Sequence, residues 1–168
     1  LQNITDIDDK IISRAKEKNV SWLKLSRGFE KEYLKDAKTL GINSVTKYAR
    51  ATSHVKEIVG QVRRLLKKEY AYQTTDGVYY DISKFKNYGK LSRRTVLRAE
   101  DAVSRIDDSR EKRNKGDFCL WKISKPEEPK WDFKTGKYLG LAAPASAKAT
   151  AGRPGWHIED TAITEKYL

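Results

Sequence analysis

The hydrophobic period of this chain changes near residue 70, and that change constrains most of what it can fold into. Before it, apolar residues recur every three or four positions. Val55, Ile58, Val59, Val62, Leu65 and Leu66 form the strongest stripe, over about 53–70, and that spacing sets them on one helix face. Trp22, Leu25, Phe29, Tyr33, Ala37 and Leu40 make the apolar face of a helix over 22–40, with Ser21 at its N-cap and Gly41-Ile42-Asn43 ending it. Ile7, Ile11 and Ala15 repeat through a first helix, opened by Asp6, Asp8 and Asp9 and running to about Lys18. After residue 70 the period is two. Residues 72–75 and 78–82 flank Asp76-Gly77, the pattern of a β-hairpin with a tight turn, with Val78, Tyr80 and Ile82 sharing a face. A further strand is expected at 117–124, with Phe118, Leu120 and the stem of Lys122 on one side and Cys119 and Trp121 on the other. Ser92 caps a short expected helix to about Arg98, 103–106 alternates weakly as an edge strand, and 110–115 is a polar, basic loop. The chain is expected to be α/β and helix-rich, with a small α+β insertion over 70–125 between the helical span 1–69 and the segment that starts at 126.

Two junctions carry residue types suited to ligands. Thr5 lies where a strand over residues 1–5 gives way to a helix, the usual ligand edge of an α/β sheet. At the other end, Gly152-Arg153-Pro154-Gly155 fixes a bend, and Trp156, His157, Glu159 and Asp160 come next, before a helix over 161–168. Such a bend gathers backbone N–H groups and an aromatic face at one spot, which suits a small ligand with a charged head. The alternative is a strand-to-helix turn whose Trp156 fills core. Arg153 has two readings, a phosphate contact or a pin for the bend. Asp6, Asp8 and Asp9 favour the positive end of a helix dipole, with a Mg²⁺ site as the functional alternative. His54 is expected on the surface without a role, and Cys119 as an inert buried thiol. Residues 126–151 are expected to link: Pro126 and Pro129 break the chain, and 142–151 is a small, nearly uncharged run expected as a mobile loop, or less readily a short Ala-rich helix.

The formal charge of +12 and a pI near 9.7 call for a polyanionic partner such as nucleic acid, or else reflect solvated basic helix faces. Arg63, Arg64, Lys67 and Lys68 suit the C-terminal end of a helix dipole and equally suit phosphate. A single Cys excludes an internal disulfide and a multi-thiolate metal site built by this chain alone. There is no apolar run of bilayer length and no signal-peptide pattern, so a cytoplasmic, membrane-free setting is expected. Met is absent and 162–168 has no C-cap residue, so an internal piece of a longer chain is expected.

Residues 152–159, Gly-Arg-Pro-Gly-Trp-His-Ile-Glu, resemble the signature that opens the second half of the catalytic core in cysteinyl-tRNA synthetases. Residues 3–12, Asn-Ile-Thr-Asp-Ile-Asp-Asp-Lys-Ile-Ile, carry a second resemblance. Residues 50–52, 88–93, 112–114 and 117–122 are similar to further family motifs in the family's order. The resemblance implies a class I, Rossmann-like nucleotide-binding fold split by a connective peptide at 70–125, with 152–168 starting the second half of the core. It implies activation of cysteine with ATP and transfer to the 3′ end of tRNA. It places Thr5, Trp156 and His157 at the cysteine pocket, and Arg63, Arg64, Lys67, Lys68, Arg93 and Arg94 as candidate tRNA phosphate contacts. Both ATP signatures of the family fall outside residues 1–168, so no catalytic residue is assigned here. The family commonly has a cysteine zinc ligand where this chain has Asp160, which leaves altered or absent zinc binding open. Two rivals remain: a related cysteine ligase that acylates an amino-sugar, and an RNA-binding module without catalysis. The link before the Gly-Arg-Pro-Gly stretch is longer than the family's.

Overall fold

A computed structural model describes residues 1–91, 109–141, 150–155 and 157–168. The helix expected at 92–98, the strand at 103–106, the Ala-rich run over 142–149, Arg93, Arg94 and Trp156 lie outside the described residues.

Three helices form where the apolar stripes predict them: α1 Asp9–Glu17, α2 Trp22–Thr39 and α3 Val55–Lys67. The starts of the first two are set by side chains that accept otherwise unmatched N–H groups. The Asp8 carboxylate accepts from Ile11 N at 2.9 Å, and Ser21 Oγ from Lys24 N at 3.2 Å. Strand β1, Gln2–Ile4, pairs in parallel with β2, Tyr48–Arg50, in the register Gln2 to Tyr48. Helices α1 and α2 form the crossover that a parallel pair requires.

The second sheet is larger and antiparallel. It comprises β3 Ala71–Gln73, β4 Gly77–Tyr80, β5 Phe118–Ile123, β6 Lys130–Trp131, β7 Tyr138–Gly140 and β8 Gly152–Pro154, in the order β3-β4-β5-β8-β6-β7. The period-two reading holds for the hairpin and for β5, with three corrections. Ile82 does not extend β4; it starts a short 3-10 turn, Ile82–Lys84, because the Asp81 carboxylate takes the Ser83 N–H at 3.1 Å. Leu120 and Trp121 do not face opposite ways into different environments. A register shift between Val78 and Tyr79 breaks the alternation, so both join the main core while Cys119 packs with Tyr72 and Tyr79. The span expected only to link contributes β6 and β7, and the expected bend at Gly152 is strand β8 between β5 and β6. The sheet thus extends past the 70–125 span. Glycine is required here by proximity: a Cβ on Gly152 would lie 2.2 Å from Lys122 O, and one on Gly155 2.1 Å from Cys119 O.

The last helix, α4, spans Ile158–Tyr167 and packs along α3. Ile58, Val59 and Val62 of α3 meet Val78, Leu120 and Trp121 of the sheet and Ile158 and Ala162 of α4 in one core. His54, expected on the surface, is buried. Its Nδ1 lies 2.7 Å from Arg50 O and its Nε2 2.9 Å from the Tyr167 hydroxyl. A helix more than a hundred residues away covers it, which local sequence does not reveal. Among the described residues, no helix is long and apolar enough to cross a membrane.

Candidate functional site

Strand β1 ends at Ile4, α1 begins at Asp9, and β8 hands over to α4 between Pro154 and Ile158. These junctions border one cleft of about 440 Å³. Its wall includes Asn3, Thr5, Asp8, Asp9, Lys122, Arg153, Gly155, His157, Glu159 and Asp160. Two roomier clefts lie nearby, and the larger shares Asn3, Thr5 and Lys10 with this wall. One of about 650 Å³ lies against Leu25, Phe29 and Tyr33, and one of about 510 Å³ against Trp22, Trp131 and Tyr138. Convergent charged and hydrogen-bonding groups, not volume, single out the smaller cleft.

Side-chain bonds close it, three of them across more than 140 residues of sequence. Thr5 Oγ1 donates to Glu159 Oε1 at 3.2 Å. Asn3 Nδ2 donates to Asp160 Oδ1, and His157 Nδ1 lies 2.8 Å from Asp160 Oδ2. Asp9 pairs with Arg153 and, at 3.2 Å, with Lys122. Arg153 is 2% exposed and also reaches Glu128 at 3.8 Å, so its guanidinium pins β8 from both sides.

The opening acidic cluster divides its work. Asp6 is buried and takes the Thr52 N–H at 2.9 Å and the Thr52 hydroxyl at 2.5 Å, with Arg27 at 3.3 Å. Asp8 caps α1, and Asp9 holds the two cations of β5 and β8. Among the described residues, no group of three or more His, Cys, Asp or Glu is placed to hold a metal ion. Both Asp160 carboxylate oxygens are engaged, one by Asn3 and one by His157.

Glu159 is the unusual acid of the cleft. It is 4% exposed. Burial pushes its carboxyl above the ordinary glutamate range, and the Asp160 charge adds to this, against the hydrogen bond from Thr5.

Thr5, His157 and Asp160 border this cleft together. Trp156 lies outside the described residues, though its chain neighbours Gly155 and His157 both line the wall. The basic candidates behave differently. Arg64 is paired with Glu165, and Arg63 Nη1 donates to the Lys134 carbonyl at 3.4 Å. Sequence reasoning missed Asn3 and the Asp9–Arg153 pair, whose partners lie at opposite ends of the chain. It noted Glu159 after the bend without assigning it a role. The signal for Glu159 was an acidic residue one place after Ile158 in the first turn of a buried helix.

The profile of a family described as tRNA synthetases class I (C) catalytic domain matches residues 1–168. A cysteine–tRNA ligase of Thermoplasma acidophilum is 45% identical over 168 residues, covering 100% of this chain and 34% of its own length. One from Thermoplasma volcanium is 47% identical with the same coverage. One from Methanococcus maripaludis is 45% identical, covering 99% of this chain and 32% of its own. The chain therefore spans about a third of the length of these curated relatives.

Proposed function

The chain belongs to the class I (C) tRNA synthetase catalytic-domain family, and from that premise we propose that it supplies part of the catalytic domain of a cysteine–tRNA ligase. The cysteine carboxylate attacks the α-phosphate of ATP to give cysteinyl-adenylate as pyrophosphate leaves, and a 3′-terminal hydroxyl of the tRNA then attacks the acyl carbon and takes the cysteinyl group as AMP leaves. Little covalent work falls on the protein in such a reaction; positioning and electrostatics carry the rate. Thr5, Trp156 and His157 wall the cysteine site, and Asp160 orients His157 and Asn3 beside it. The single observation that supports this reading is the cleft where Thr5 meets Glu159 and Asn3 meets Asp160. It sits at the ends of β1 and β8, where α/β folds bind small ligands.

The parallel β1–β2 pair with its helical crossover is read as part of a Rossmann-like nucleotide-binding sheet, and the unit centred on 70–125 as the connective-peptide insertion. Lys67, Lys68, Arg93 and Arg94 remain candidate phosphate contacts for tRNA, and of the helix residues Lys67 and Lys68 are favoured. Arg63 and Arg64 rank behind Lys67 and Lys68 because each is engaged within the chain. Such contacts make tRNA affinity fall steeply with salt. The work is done in the cytoplasm. The test is aminoacylation by the full-length protein that carries this chain, with ATP, labelled cysteine and tRNA. Cysteine-specific charging is expected. No charging, or equal charging with serine, overturns the reading.

A further inference from the structure

Among the described residues, two buried side-chain polar atoms have no hydrogen-bond partner, Arg153 Nε and Glu159 Oε2. The Arg153 atom lies 3.8 Å from Glu128 Oε2, and that ion pair accounts for it. Nothing among the described residues accounts for the Glu159 atom. Its companion Oε1 is held by the Thr5 hydroxyl at 3.2 Å, so the carboxylate is aimed, yet one oxygen is left without a donor. A buried carboxylate oxygen loses its solvation with nothing in return unless a donor arrives.

The other carboxylates of the cleft are engaged. Asp8 accepts from Ile11 N, Asp9 is paired with Lys122 and Arg153, and Asp160 is held by Asn3 and His157. Among the described residues, the buried carboxylate oxygen of this wall that lacks a donor is therefore Glu159 Oε2, next to the further negative charge of Asp160. The wall's fixed cations, Lys122 and Arg153, gather instead at Asp9. The same wall thus carries a buried acceptor and cationic side chains, groups that complement the two charges of a zwitterion.

We propose that Glu159, oriented by Thr5, receives the ammonium group of the amino-acid ligand. This rests on the ligase reading above, in which that ligand is cysteine. An ammonium carries three N–H donors and no acceptor. One reaches Glu159 Oε2, and a second can reach the Thr5 oxygen, whose own proton is committed to Oε1. Charge-assisted bonds of this kind are stronger than neutral ones.

The test is cysteine-dependent ATP–pyrophosphate exchange by the full-length protein, wild type against Glu159→Gln, with 3-mercaptopropionate, which is cysteine without its amino group, as a competitor. The variant is expected to raise the KM for cysteine about tenfold, to change kcat much less, and to leave inhibition by 3-mercaptopropionate within about twofold. An unchanged KM overturns the proposal. So does a parallel rise in KM and in the inhibition constant, which marks a deformed pocket. Should the variant fail to fold, wild-type protein decides: cysteamine, which keeps the amine and lacks the carboxylate, competes better than 3-mercaptopropionate if Glu159 binds the ammonium, and the reverse order overturns it. Absence of any cysteine-dependent exchange in the wild type overturns the ligase reading itself and this proposal with it, whereas exchange with unchanged KM overturns this proposal alone.

Discussion

Two sets of buried carboxylates lie close to the end of strand β1, and the fold treats them in opposite ways. Asp6 and Glu30 sit in a closed node. Arg27 bridges them, at 3.3 Å from Asp6 and 2.8 Å from Glu30, Arg50 adds a bond to Glu30 at 2.8 Å, and Thr52 gives Asp6 both its N–H and its hydroxyl. Burial alone would raise the Glu30 carboxyl, but the bonds from Arg27 and Arg50 outweigh it and hold it below the ordinary range. Glu159, equally hidden, has one bond from Thr5, and burial raises its carboxyl. The closed node ties α2 and the residues after β2 to the β1–α1 turn and asks nothing of a ligand. The open one has lost its water and still lacks a donor, which is the signature of a site that something else completes.

That contrast can be broken at several points. Asp6→Ala removes the centre of the closed node and strands Arg27 and the Thr52 N–H; a loss of about 3 kcal/mol is expected in urea unfolding. Glu30→Gln is expected to cost about 2 kcal/mol at neutral pH. Its pH dependence comes from the lowered carboxyl: the stabilisation is present above the ordinary glutamate pKa and is lost as pH falls through the folded value, so wild type and variant converge in acid. Glu159→Gln should behave in the reverse sense. A raised carboxyl stabilises only below the ordinary glutamate pKa, and that contribution is lost as pH rises through the folded value. The variant is therefore expected to gain up to about 1 kcal/mol over wild type at neutral pH, and nothing at about pH 4. Arg64→Ala, which removes an exposed pair with Glu165, should change the unfolding free energy by no more than about 0.5 kcal/mol.

The helices were legible because their apolar stripes and caps are local: Asp8 and Ser21 each lie within three residues of the N–H they satisfy. The hairpin at Asp76-Gly77 was legible for the same reason. Strands β2, β6, β7 and β8 were not. Each has two or three residues, too few for alternation to register, and each exists because a partner strand supplies the other half of its hydrogen bonds. His54 was misread because Tyr167, which covers it, lies over a hundred residues away. The cleft was legible in part. Thr5, His157 and Asp160 stood out by motif, whereas the Asn3–Asp160, Asp9–Arg153 and Thr5–Glu159 contacts join the two ends of the chain, and no spacing rule reaches that far. Arg63 and Arg64 show the converse: a basic run reads alike whether it faces phosphate or its own protein.

The central claim is that Thr5 and the turn over residues 152–160 make one amino-acid pocket. Cysteine titration of ATP–pyrophosphate exchange in the full-length protein, wild type against Thr5→Val, tests it most directly, since valine keeps the shape and removes only the hydroxyl that touches Glu159. A KM for cysteine raised about tenfold, with exchange still measurable at saturation, is the predicted result. Wild-type kinetics in the variant would contradict the claim.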